Sequence, residues 1–155
     1  MERQILSVYW NANNGGTLYI GSQSAGVARI EGLNDVFANS TIEMLQDLQW
    51  EWINDGLGPL ADRIIPEIKE RNGNIYCLLT GNAPDFTNND HVGVYVFDQS
   101  SSSWSLKKGT VNRPSNVGAS YDLWAYPTSF DVNEDGDFYL VDIETNWNYC
   151  ESSCM

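Results

Sequence analysis

The stretch Gly73-Asn74-Ile75-Tyr76-Cys77 is a short β-rich run that a glycine begins and that carries a tyrosine. The same pattern occurs at Gly16-Thr17-Leu18-Tyr19-Ile20 and at Gly136-Asp137-Phe138-Tyr139-Leu140. The three runs lie roughly sixty residues apart, a spacing that marks a repeated structural unit built on a β-hairpin. Because one such unit cannot cover its own apolar faces, the repeat predicts units that stack on one another.

Each run falls inside a predicted series of antiparallel strands, in which alternating apolar residues are separated by Asn, Asp and Gly turns. The first two units contain four strands each, and the third contains only two. We predict a single domain over 1–155 of the all-β class. Its units cover 3–57, 62–110 and, for the half unit, 126–145.

The segment 33–49 interrupts the first unit. Ser40 or Thr41 could cap a short helix that runs through Leu48, and the same residues also fit an extended hairpin arm. We predict a loop with one helical turn here.

Composition excludes several classes of partner. The chain has 155 residues and a formal net charge of −13, with 8 Lys and Arg against 21 Asp and Glu. Nucleic acids and anionic membranes are recognised through basic residues, so neither is expected as a partner. No apolar run is long enough for a membrane span, and the first residues lack a signal-peptide core, which predicts a cytoplasmic protein.

The cysteines indicate neither a disulfide framework nor a zinc site. Their number, three, is odd, and Cys77 lies inside a predicted strand while Cys150 and Cys154 lie near the end of the sequence. We interpret Cys77 as a small buried hydrophobic residue.

The pattern resembles the blades of β-propellers of the sialidase-like and sortilin-like kind, and especially those of xyloglucan-degrading glycoside hydrolases of family 74. The matching residues are Gly16 to Gly21 with Ala25-Gly26-Val27, Trp52 to Leu57, and Gly73 to Tyr76 through Gly93-Val94-Tyr95 to Trp104, where Trp104 matches Trp52. The resemblance implies antiparallel four-stranded blades.

Complete propellers close four to eight blades into a ring, and closure removes exposed sheet edges. Two and a half blades leave an open arc with unpaired edges. We therefore predict an incomplete ring that is closed by oligomerisation, most simply a homodimer in which two arcs complete one ring.

The resemblance also implies where ligands bind, because propeller loops emerge together on one face. Here those loops carry aromatic, amide and carboxylate side chains, which suit the apolar faces and hydroxyl groups of sugars. The predicted ligand-binding residues are Asn82, Asp85, Phe86, Tyr121, Trp124, Tyr126 and Trp147. For Trp124 and Trp147, packing between blades is the alternative role.

Hydrolases of this family use two carboxylates, and one of them precedes the third strand of a blade. The matching stretch here, Ser22-Gln23-Ser24-Ala25-Gly26, contains no carboxylate. We therefore predict a non-catalytic module that recognises a carbohydrate or a protein. The alternatives are a glycoside hydrolase acting on a β-glucan such as xyloglucan, with Asp85, Asp90 or Asp122 as candidate carboxylates, and a purely structural interaction scaffold.

The turn of the third unit matches part of a calcium-loop template. Asp131, Asn133, Asp135 and Asp137 place oxygen atoms at alternate positions, and Asp142 is twelfth. The alternative is an ordinary hairpin turn rich in Asp, Asn and Gly. We interpret His91, within a polar loop, as a surface residue.

Overall fold

Ten β-strands and one short helix form the part of the chain that the computed structural model describes, which comprises residues 4–13, 15–39, 48–58, 63–81, 92–109 and 127–142. The elements in chain order are β1 (Ile5–Asn11), β2 (Thr17–Ser22), β3 (Val27–Ile30), α1 (Leu33–Asn39), β4 (Trp50–Trp52), β5 (Arg63–Arg71), β6 (Asn74–Gly81), β7 (Gly93–Asp98), β8 (Ser103–Gly109), β9 (Pro127–Val132) and β10 (Phe138–Asp142).

The strands form three antiparallel sheets whose neighbours follow one another in sequence. Sheet one has the order β1-β2-β3-β4, sheet two the order β5-β6-β7-β8, and sheet three pairs β9 with β10. The all-β class, the four-stranded composition of the first two sheets and the existence of every predicted strand are confirmed. Strand ends differ from the prediction by a few residues at most.

Local turn chemistry explains the hairpins. Between β5 and β6, Asn72 and Gly73 both have positive φ angles, 52° and 78°. Two consecutive residues with positive φ define the type I′ turn, whose twist matches that of the strands it joins, and Asn-Gly is its preferred sequence.

A short helix lies in the segment for which the sequence predicts a loop with one helical turn. It covers Leu33–Asn39, whereas the predicted caps, Ser40 and Thr41, lie outside the described residues. The β1–β2 turn takes over the capping function: the Leu33 N–H donates to the Gly16 carbonyl (3.1 Å) and the Asn34 N–H to the Gly15 carbonyl (2.9 Å). Backbone carbonyls distant in sequence thus satisfy donors that a side-chain cap normally satisfies.

Sheet one packs on sheet two through a first hydrophobic core. It contains Tyr19 and Val27 of sheet one together with Ile75, Cys77 and Trp104 of sheet two. Burial raises the pKa of the Cys77 thiol well above its ordinary value, so this thiol stays protonated and unreactive. The interpretation of Cys77 as a buried hydrophobic residue is confirmed.

Sheet three packs on the other face of sheet two through a second core. Leu78 and Val94 contribute from sheet two, and Phe130 and Val132 from sheet three. Since successive side chains of a strand point to opposite faces, β6 sends Ile75 and Cys77 into the first core and Leu78 into the second. Sheet two is therefore covered on both faces.

The first strand of each sheet also touches the first strand of the next through polar contacts. The Ser7 hydroxyl of β1 donates to the Ile65 carbonyl of β5 at 2.8 Å. Glu67 of β5 accepts a hydrogen bond from the Phe130 N–H of β9 at 2.8 Å, and Lys69, paired with Glu67 at 2.7 Å, donates to the Phe130 carbonyl. The Glu67 and Lys69 side chains thus form hydrogen bonds with backbone groups on the edge of β9.

Candidate functional site

The predicted ligand-binding residues lie outside the residues that the structure describes. This applies to Asn82, Asp85, Phe86, Tyr121, Trp124, Tyr126 and Trp147. It also applies to the candidate carboxylates Asp90 and Asp122 and to His91. Their roles stay predictions. The described residues form three other places of interest: the acidic turn, a cleft on sheet two and the outer face of sheet one.

The acidic turn between β9 and β10 is held by its own hydrogen bonds. The Asn133 side-chain oxygen accepts from the Asp137 N–H at 2.8 Å, while its amide donates to the Asp137 carboxylate at 3.1 Å. The Asp131 carboxylate accepts from the Val132 N–H at 2.9 Å and pairs with Arg71 at 3.1 Å. These contacts engage three of the four proposed calcium ligands. Within the described residues, no group of three or more His, Cys, Asp or Glu side chains is placed to hold a metal ion. Calcium binding at this turn stays a prediction.

An open cleft of about 740 Å³ lies against sheet two, beside the turn that joins β7 to β8. Its lining combines an aromatic ring and an aliphatic side chain, Tyr76 and Val96, with the polar residues Asp98, Ser105 and Lys107. Sheet three covers Val94 of the same strand fully, but Val96 is only half-buried. The cleft therefore lies where the two described strands of sheet three stop covering the sheet below.

Asp98 stands at the rim of this cleft and is fixed by the serine-rich turn. Its carboxylate accepts hydrogen bonds from the Ser100 hydroxyl (2.7 Å), the Ser100 N–H (2.9 Å) and the Ser101 hydroxyl (2.9 Å). These bonds favour the charged form and lower the pKa of Asp98 below its ordinary value of 3.8, the Ser100 hydroxyl contributing most. The lining of the cleft thus includes a fixed negative charge at Asp98 as well as the Lys107 side chain.

The lowered pKa of Asp98 predicts a stability change in acid. A group whose pKa is lower in the folded than in the unfolded state stabilises the fold above its unfolded value, here 3.8, and loses that contribution as the pH falls further. We expect Asp98→Asn to lower the urea midpoint at about pH 7, and the gap to wild type to shrink at a pH below 3.8. Urea titrations followed by circular dichroism measure both gaps. A gap of equal size at the two pH values would contradict the expectation.

Two complete rows of paired residues make the outer face of sheet one apolar, and beyond them the pair Ile5–Ser22 adds a polar side chain. Directly paired residues of adjacent strands share a face, and in these two rows the pairing connects β1 to β4 without a polar residue. The residues are Val8, Trp10, Leu18, Ile20, Ala28, Ile30, Trp50 and Trp52. The rings of Trp50 and Trp52 meet edge to face, with centroids 5.2 Å apart. Trp50 is 56% exposed and Val8 58%. Extended apolar surfaces of this kind are typical of interaction sites.

The sequence patterns predicted functional aromatic residues in the loops and did not reveal this face. The signal was present in the strands themselves. Val8 and Trp10 alternate with less apolar neighbours, as do Trp50 and Trp52, so that each strand carries its apolar residues on one side. Only the register shows that these sides coincide.

Comparison with protein-family models, with curated proteins and with solved structures found no match to this chain. No helix in the described residues has the length and apolar character that crossing a membrane requires. The class of the protein thus follows from its sheets alone: it is an antiparallel all-β protein of sequentially stacked sheets.

Proposed function

We propose that this chain is a non-catalytic binding module of the β-propeller type, assembled as a homo-oligomer, most simply a two-fold dimer. The observation that carries the proposal is the covering of sheet two on both faces by the sheets that precede and follow it. The contacts of β1 with β5 and of β5 with β9 add support, because the first strands of propeller blades lie side by side around the ring axis. Three sheets in this arrangement form part of a ring.

The proposed ligand is a carbohydrate or a protein, bound through the aromatic loops on one face. The cleft on sheet two is a second surface, beside the β5–β6 and β7–β8 turns and at the end of the sheet opposite to Leu79 and Gly93. It also has the mixture of groups that sugars require, since Tyr76 offers an aromatic surface and Asp98, Ser105 and Lys107 offer hydrogen-bonding groups. A carbohydrate is therefore the first ligand class to test.

The hydrolytic alternative has less support. A glycoside hydrolase needs a carboxylic acid whose pKa is raised, so that it can donate a proton. Among the described residues, Asp98 and Asp131 do not fit this role, because their pKa values are lowered, for Asp131 chiefly by the hydrogen bond from the Val132 N–H. The candidate carboxylates Asp85, Asp90 and Asp122 lie outside those residues. In the stretch where the related enzymes carry a carboxylate, the Ser22 hydroxyl donates to the Gly26 carbonyl at 2.8 Å. These observations favour binding without hydrolysis.

Affinity electrophoresis tests the ligand class. We expect gels containing xyloglucan, other β-glucans or bacterial polysaccharides to retard the protein with at least one of them, while the incubated polysaccharide releases no reducing sugar. Trp124→Ala and Trp147→Ala should each reduce the retardation about tenfold or more, since stacking of one aromatic ring contributes about 1.5 kcal/mol. Leu106→Ala, which alters an exposed strand residue, is the control and should bind like wild type.

Two results would overturn parts of this proposal. Release of reducing sugar by wild type but not by Asp85→Asn would favour the hydrolase. Absence of retardation with every polysaccharide would exclude the carbohydrate and leave a protein ligand or the scaffold role.

A further inference from the structure

The tyrosine of the repeat marks the same face of every sheet. In sheet one, Tyr19 lies in the first core, against sheet two; in sheet two, Tyr76 packs against the second core, towards sheet three. In sheet three, Tyr139 pairs with Asp131 and lies on the face opposite Phe130 and Val132. We call this side the tyrosine face of each sheet, and the opposite side its reverse face. The reverse face of sheet one is the apolar outer face described above.

The chain therefore makes one kind of sheet contact twice. The tyrosine face of sheet one packs on the reverse face of sheet two, and the tyrosine face of sheet two packs on the reverse face of sheet three. The contact between Tyr76 and Phe138 belongs to the second of these interfaces, with ring centroids 5.9 Å apart at 73°. Two faces have no such neighbour among the described residues: the reverse face of sheet one and the tyrosine face of sheet three.

Matched positions show what covering a reverse face does. On sheet two, Ile75, Cys77, Phe97 and Trp104 are all buried. In the register, Trp104 pairs with Phe97 and Trp50 pairs with Ile30. Phe97 and Ile30 are equivalent because they pair with Ile75 and Leu18, which each follow the glycine of their run by two residues. Trp50 is therefore the equivalent of Trp104. The sequence pattern predicted Trp52 as the equivalent of Trp104, and the register moves this match by two residues to Trp50. Trp104 is 3% exposed and Trp50 is 56% exposed.

The tyrosine face of sheet three is exposed in the same way. Tyr139 and Val141 are each 59% exposed, although Tyr19, at the equivalent position of sheet one, is buried. Both ends of the stack thus present the apolar residues that the repeat buries wherever a neighbouring sheet is present. Burial of such surface is the main driving force for association.

We propose that the reverse face of sheet one receives the tyrosine face of sheet three from a second copy of this chain. The inference rests on the proposed homodimer and names its surfaces. A second copy is the occupant because this chain already joins these two types of face twice and carries one unmatched example of each. With a two-fold axis the contact forms twice, and three sheets from each copy give six, within the range of closed propellers.

The internal interface also predicts which residues meet between copies. Phe138 follows Gly136 by two residues, as Leu18 follows Gly16, so Leu18 is its equivalent in sheet one. Since Phe138 contacts Tyr76 of the sheet before it, Leu18 should contact Tyr139 of the second copy.

Sedimentation velocity at about 10 μM tests the assembly, a concentration at which dimers with a Kd of about 1 μM or less predominate. Wild type should sediment as a species of about twice 17.4 kDa. Trp50→Asp and Tyr139→Arg should each give monomers, whereas Leu106→Asp, on β8 of sheet two, should remain dimeric. Circular dichroism checks that each variant is folded.

Cysteine cross-linking tests the surfaces directly, in a background where Cys150 and Cys154 are serine. A mixture of Leu18→Cys and Tyr139→Cys proteins should form an intermolecular disulfide under mild oxidation, and Leu106→Cys mixed with either should not. If wild type is monomeric, the proposed homodimer and this inference both fail. If wild type is dimeric but Trp50→Asp also dimerises and no Leu18–Tyr139 cross-link forms, the homodimer stands and the assignment of its surfaces fails.

Discussion

Replacing Gly56 by alanine is expected to destabilise the folded chain by about 3 to 5 kcal/mol. Gly56 has a φ of +83°, a conformation that costs an L-residue about 1 to 2 kcal/mol. In addition, a Cβ atom here would lie 2.0 Å from the Trp104 carbonyl oxygen, far inside van der Waals contact. The Trp104 N–H donates to the Asp55 carbonyl at 2.8 Å, so the two backbones cannot separate without losing this bond.

Gly73→Ala is the matched control for this prediction. Gly73 has a φ of +78°, close to that of Gly56, but no heavy atom lies within 4 Å of its Cβ position. We expect a loss of about 1 to 2 kcal/mol from the backbone conformation alone. Urea unfolding of the two variants and wild type measures both values. Equal losses of unfolding free energy in the two variants would contradict a close contact between Gly56 and the Trp104 carbonyl.

Replacing Trp104 by alanine is expected to lower the free energy of unfolding by about 3 to 5 kcal/mol, the second large effect. The indole is buried in the first core, and its ring centroid lies 5.0 Å from that of Phe97. Its Nε1–H donates to the Ile53 carbonyl at 2.6 Å, which ties sheet two to the segment that follows β4. Alanine removes both the packing and this bond, so sheet one and sheet two should separate more easily.

The Trp104→Phe variant separates the contribution of packing from that of the hydrogen bond to Ile53. Phenylalanine retains most of the ring but leaves the Ile53 carbonyl without its donor, and an unsatisfied buried acceptor costs about 1 to 3 kcal/mol. We expect a loss in that range, smaller than that of the alanine variant. Thermal and urea unfolding measure both variants. If phenylalanine were as costly as alanine, the hydrogen bond rather than the packing would dominate at this site.

Local sequence predicted the strands because the signals for them are local. The alternation in β6 fixes which of its side chains share a face, and Asn72-Gly73 supplies the two positive φ angles that its hairpin requires. The same reasoning did not find the start of α1, whose first N–H groups are satisfied by the carbonyls of Gly15 and Gly16. A cap formed by a distant turn leaves no Ser or Thr signal at the helix start.

For the candidate site, too, the sequence predicted local features and the tertiary structure decided the rest. The sequence by itself determined that a tyrosine recurs at the same position of three hairpins, and that β4 and β8 are equivalent strands. The register then showed that Trp50, and not Trp52, is the equivalent of Trp104. Only the tertiary structure decided that Trp104 is buried under sheet one while Trp50 lies on an outer face. The physical reason is that side-chain alternation is set by the backbone of a single strand, whereas burial depends on whether another sheet packs against that side.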